Sequence, residues 1–147
     1  MFIAATIVLA GAAVSVRKPR FTDLQVVIMV IALAMSCDMI FCKQLKMYHY
    51  VDMSLKYIGW YSFWANFIAA PALGLVFIKF IPSKVIRITF YILIWSIVLT
   101  FLESYVLKPL GILYTPVWRT VPWSLIGYFI VLVLESAYFR ILERRTA

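Results

Sequence analysis

The chain has 147 residues, 65% of them hydrophobic and 14% charged, with 14 Lys and Arg against 6 Asp and Glu. Soluble domains run near half apolar and a quarter charged, and disordered chains are poorer still in apolar groups, so this composition excludes both classes. A transmembrane helix takes roughly 20 mostly apolar residues, so the apolar content fills about five spans in one polytopic membrane domain covering residues 1–147. In a soluble protein a net charge of +8 would suggest nucleic acid,. Here the basic residues flank apolar runs, where they meet anionic headgroups and set orientation. Membrane lipids, and not nucleic acid, are therefore the expected partners.

The first apolar segment, residues 1–16, ends in Arg17, Lys18 and Arg20. A cleavable leader carries its charge before the apolar stretch, so a retained first helix, about 24 Å long, is expected. The stretch Ala10-Gly11-Ala12-Ala13 nonetheless resembles a cleavage site. The second span is expected over 24–42, between Asp23 and Lys43. The third covers 58–80, with Pro71 inside it and Pro82 just beyond. The fourth covers 88–107, closed by Pro109-Leu110-Gly111, and the fifth covers 121–141, opened by Pro122,. No internal repeat is evident. Only the connections 43–57 and 108–120 are long enough to hold interfacial structure.

Alternate sides of this layout collect nine basic residues (Arg17, Lys18, Arg20, Lys79, Lys84, Arg87, Arg140, Arg144, Arg145) and five (Lys43, Lys46, Lys56, Lys108, Arg119). By the positive-inside rule the N-terminus is expected outside and the C-terminus inside. Tyr48, Tyr50, Tyr57, Trp60, Tyr61, Trp64, Tyr114, Trp118 and Trp123 then form an aromatic belt at the outer interface,. Cys37 and Cys42, five apart on a helix, point about 140° apart. That geometry opposes a disulfide and matches no zinc spacing, so both are read as packing residues.

Ionisable groups at membrane depth cost roughly 2.5–3.5 kcal/mol even on mild insertion scales, so each needs a reason. Asp38 and Glu103 lie at equal expected depth near the outer ends of the second and fourth spans. Ser96, Thr100 and Glu103 share one helical stripe, and Ser62, Asn66, Ala70 and Gly74 form an i, i+4 row on the third span,. Small rows let helices approach closely, and Pro71 frees the carbonyl of Phe67. These features suggest a polar pocket between the second, third and fourth spans, with Asp38, Asn66, Thr100 and Glu103 as its chemistry and Ser96 beside them. A structural role remains open, in which the carboxylates reach water or pair with Lys43, Lys108 or Arg119. Glu135, near the inner end of the last span, is expected to pair with Arg87 or Lys79. It lies roughly 15 Å in depth from Glu103, too far for a direct hydrogen bond. The lone His49 is expected in the outer loop, with a possible basic role near Asp38. No metal set, cofactor motif or phosphate loop is present in the sequence,.

From Pro71 onward the order is a proline-containing span, Phe80-Ile81-Pro82-Ser83-Lys84, Tyr91-Ile92, Trp95 and Glu103. It continues through Ile112, Tyr114, Trp123-Ser124 and Tyr128 to a basic end at Arg145. This half of the chain resembles a group of small, multi-spanning, uncharacterised membrane proteins of spore-forming Gram-positive bacteria. The resemblance implies a polytopic helical fold in the plasma membrane and no particular activity. The sequence thus reads as an all-α transmembrane bundle in the cell membrane, more in keeping with a non-enzyme. Its expected pocket would bind or pass a small cation, a proton or a lipid headgroup. Two alternatives stand beside this: a partner or signalling subunit of a membrane complex, including a homo-oligomer, and an enzyme acting on lipid-linked substrates.

Overall fold

The computed structural model describes residue 11 and residues 20–52, 59–116 and 119–146. The expected first span, 1–16, therefore lies outside the described residues apart from Gly11, which is helical. Among the described residues four helices are long and apolar enough to cross a membrane: α1 (Phe21–Gln44), α2 (Trp60–Lys79), α3 (Val85–Leu107) and α4 (Val121–Arg145). They match the second to fifth expected spans. α1 starts three residues early because Asp23 turns back to cap it. Its Oδ2 accepts the Arg20 N–H at 2.9 Å, and its own N–H bonds the Arg20 carbonyl at 3.0 Å,.

Helices α1 and α3 run toward one end of the bundle, and α2 and α4 return from it. That end carries Tyr48, Tyr50 and Tyr114 and is called here the tyrosine end; the other carries Lys79, Lys84, Arg87 and Arg140 and is the basic end. At the tyrosine end the two connections pair through β1 (His49–Tyr50) and β2 (Leu113–Tyr114). The strands are antiparallel, with His49 opposite Tyr114 and Tyr50 opposite Leu113, and the Val51 N–H bonds the Ile112 carbonyl at 3.1 Å. Gly111 makes the turn into β2 at a φ of 68°, a left-handed conformation that glycine adopts without steric cost,.

α1 packs on α2 and α4, α3 packs on α4, and α4 touches all three others. The last helix is therefore the centre of the bundle. The apolar core lies toward the basic end, built from Val26 and Val30, Phe77 and Ile78, Ile88 and Ile92, and Leu132, Phe139 and Leu142. Phe77 is fully buried, stacked on Tyr91 at 5.1 Å and edge-on to Trp95 at 6.0 Å. The Tyr91 hydroxyl donates to the Phe77 carbonyl at 3.0 Å. Polarity is inverted relative to a soluble bundle: Ser96 is 0% exposed, while Ile97 and Val98 beside it are 52% and 44% exposed. Apolar side chains cover the outside and polar ones fill the inside, which suits a lipid environment.

Candidate functional site

Regular α-helix stops in all four helices within one layer at the tyrosine end. π-helical turns occupy Asp38–Gln44 in α1, Ala65–Ala69 in α2 and Glu103–Leu107 in α3, and the irregular first turn of α4, Thr120–Ser124, is kinked at the extended Val121. Such turns recur at functional sites because the wider winding re-aims side chains. Each turn here contains one buried polar residue: Asp38, Asn66, Glu103 and Ser124. In α2 the turn sits just before Pro71, and the Ala70 N–H bonds Ala65 in the i→i−5 register. The widened winding thus precedes the ring that cannot donate.

Asp38 is 6% exposed and accepts three hydrogen bonds. The Tyr48 hydroxyl donates to Oδ1 at 2.6 Å; the Ser62 hydroxyl and the Asn66 amide donate to Oδ2 at 3.0 and 2.6 Å. Glu103 is 4% exposed, with the Ser124 hydroxyl on Oε1 at 2.9 Å and the Tyr128 hydroxyl on Oε2 at 3.0 Å. The two helical hairpins follow one plan. A carboxylate late in the first helix is held by two donors, one turn apart, early in the second. No sequence repeat signals this, because the donors are Ser62 and Asn66 in one hairpin and Ser124 and Tyr128 in the other.

Tyr50 links the two halves. Its half-buried phenol is pushed well above the usual tyrosine range by burial and then by the nearby Asp38, Cys42 and Glu103,. Both carboxylates therefore lie within electrostatic reach of one hydroxyl. Burial and Asp38 likewise push the Tyr48 hydroxyl far upward. A recess of about 30 Å³ beside Asp38, lined by Met35, Met39, Lys43, Ser62, Asn66 and Phe67, has room for roughly one or two waters,.

The expected pocket is thus partly assembled. Asp38 and Asn66 meet directly, and the Ser62–Gly74 row faces protein, with Ser62, Asn66 and Gly74 buried. Glu103 does not join them between the second, third and fourth spans. It turns to the last helix, whose Ser124 and Tyr128 hydroxyls hold it, while α2 meets α3 nearer the basic end, through Phe77 against Tyr91 and Trp95. Thr100 and Ser96 reach neither carboxylate, because their hydroxyls donate to their own helix, at the carbonyls of Ser96 (2.7 Å) and Ile92 (2.8 Å),. His49 is exposed and lies against Tyr114 at 5.0 Å, since strand alternation turns it away from its neighbours Tyr48 and Tyr50,. Tyr48, Tyr50, Ser124 and Tyr128 are the site residues that sequence reasoning missed. Among the described residues no ion pair involves Asp38 or Glu103, so the pairings considered with Lys43, Lys108 and Arg119 are not formed. Asp52 instead serves α2, accepting the Tyr61 N–H at 3.0 Å,. Glu135 stands apart from this layer, 2% exposed, and its Oε1 has no hydrogen-bond partner. The pairing expected with Arg87 or Lys79 is absent. Among the described residues no group of three or more His, Cys, Asp or Glu side chains could hold a metal. Comparison with known proteins finds no matching family model, no similar curated protein and no similar solved structure.

Proposed function

We propose that this is a five-span plasma-membrane protein, N-terminus outside and C-terminus inside, whose outward-facing tyrosine end binds and exchanges a proton between Asp38 and Glu103. The bias of basic residues supports the orientation, and the resemblance of the C-terminal half to membrane proteins of spore-forming bacteria supports the location. One observation carries the reading. Two buried carboxylates share a layer, and among the described residues every group that hydrogen-bonds them is neutral. A buried anion without a basic partner is costly, so this layer calls for positive charge from outside.

The donor chemistry favours a proton over the other ligands. Four of the five donors are hydroxyls (Tyr48, Ser62, Ser124 and Tyr128), and a hydroxyl donates or accepts by rotating,. The cluster therefore stays satisfied whether a carboxyl is ionised or protonated. A metal cation needs gathered oxygen lone pairs, whereas here the hydrogens point at the carboxylates and Lys43 lines the recess. A lipid headgroup does not fit about 30 Å³. The partner-subunit alternative loses its best surface, since the small-residue row on α2 is covered within the chain.

Thermal melting of Asp38→Asn, Glu103→Gln and the double variant in detergent, from about pH 5 to pH 8, tests the reading. Coupled groups deviate from additivity by roughly 0.5–3 kcal/mol. A coupling that changes with pH, and not with added sodium or potassium, is expected. Additive effects at every pH would leave two independent structural carboxylates.

A further inference from the structure

The buried carboxyl that the tyrosine-end layer does not use is Glu135 of α4. It is 2% exposed, and its Oε1 has no partner. Its place is made by glycine: a Cβ built on Gly74 of α2 would lie 2.8 Å from Oε1 and 3.1 Å from Val30 Cγ2 of α1. The carboxyl fills the notch that a missing side chain leaves where three helices meet. One turn toward the basic end, Ile78 and Phe139 follow Gly74 and Glu135 on the same faces. Both are buried, and both line a cavity of about 310 Å³ that also touches Lys79, Ile81, Pro82, Ser83, Arg140 and Glu143. An unpartnered carboxyl oxygen therefore lies about one helical turn from a cavity with room for several waters, and Ile78 and Phe139 stand on the intervening turn,.

The surrounding charged and titratable groups leave Oε1 alone. On α3, Tyr91 lies within electrostatic reach, but its hydroxyl is committed to the Phe77 carbonyl. On α1, Asp23 lies two turns from Val30 on the same stripe and caps its own helix,. On α2, Lys79 lies at the cavity. On α4 itself, Arg140 donates to the Ser83 carbonyl at 3.0 Å, and Glu143 lines the same space. An ionised Glu135 would be an uncompensated charge in the bundle centre.

We propose that Glu135 is a second proton-binding site, filled and emptied from the basic end through the cavity beneath Ile78 and Phe139. The step is simple: a proton from water in the cavity adds to a Glu135 carboxylate oxygen and returns the same way, with no other bond changed. This site does not depend on the reading of Asp38 and Glu103. If both readings hold, the membrane carries one proton site toward each face. Ser124, Tyr128 and Glu135 then share one stripe of α4, with the latter two separated by roughly two turns.

Infrared difference spectra of the full chain in proteoliposomes of known orientation test this, with pH stepped from about 5 to 9, a range that brackets carboxyls perturbed by burial. A protonated-carboxyl band is expected that titrates, is lost in Glu135→Gln and survives in the Asp38→Asn, Glu103→Gln double variant. Gly74→Ala, which crowds Oε1, should shift its titration, identifying the group even if Glu135→Gln does not fold. The band should follow pH steps on the basic-end side, and Phe139→Ala should speed its response several-fold. A band that does not titrate, is indifferent to Glu135→Gln and Gly74→Ala, or follows only the tyrosine-end side overturns the proposal. A response rate unchanged by Phe139→Ala overturns the route.

Discussion

Gly74→Ala is the substitution whose outcome the packing fixes most closely. On helix propensity alone it should stabilise, by about 0.8–1 kcal/mol. The added methyl, however, meets Glu135 Oε1 at 2.8 Å, Val30 Cγ2 at 3.1 Å and Glu135 Cδ at 3.5 Å. Val30 is β-branched, 6% exposed and stiff at χ1, so it yields little, and the carboxyl must move out of its notch,. Overpacking of this kind costs typically 1–3 kcal/mol. Subtracting the propensity gain leaves a net loss of about 0–2 kcal/mol. Gly127 supplies the internal control: nothing lies within 4 Å of its built Cβ, so Gly127→Ala should gain roughly 0.5–1 kcal/mol,. Thermal or denaturant unfolding of both variants in one detergent compares them directly. Combining Gly74→Ala with Glu135→Ala should restore part of the loss, because contacting residues couple. If Gly74→Ala gains as much as Gly127→Ala, α2 and α4 do not meet as described.

Three other outcomes follow from the tyrosine end. Tyr48→Phe removes a donor 2.6 Å from a buried carboxylate and should cost about 1.5–3 kcal/mol by unfolding at neutral pH,. Tyr50 and Tyr48 are held neutral in the fold, so their folded pKa values lie above the unfolded value of about 10,. Their stabilisation is complete below about pH 10 and is lost as pH rises from there; Tyr50→Phe should flatten that alkaline decline, read from melting against pH. With Cys37 and Cys42 replaced, Val51→Cys should react with an impermeant maleimide on intact cells and Arg145→Cys should not. The reverse pattern would invert the orientation.

Hydrophobic runs bounded by charge, proline and glycine locate four helices to within a few residues, because length and polarity are local properties. The Ser62–Asn66–Gly74 row is equally legible, since i, i+4 spacing alone puts those residues on one face. Which helix lies beside which is not a local property. Glu103 was therefore given to the second and third spans, while the fold seats it on the last. The Ser96–Thr100 stripe was found, but not the direction of its hydroxyls, which either reach a neighbour or bond back to their own helix,. Tyr48 and Tyr50 read as belt residues because the strands that place them are two residues long and pair across more than sixty positions of sequence. The notch at Gly74 needs the register of two helices, which glycine and glutamate spacing cannot supply.

Counting protons tests the central claim most directly. If Asp38 and Glu103 bind a proton as proposed, an indicator dye in lightly buffered detergent should report that the parent chain takes up more protons than the Asp38→Asn, Glu103→Gln double variant when pH is stepped from about 8 to 5. Sodium or potassium should leave that difference unchanged. Equal uptake by the parent and the double variant would contradict the account.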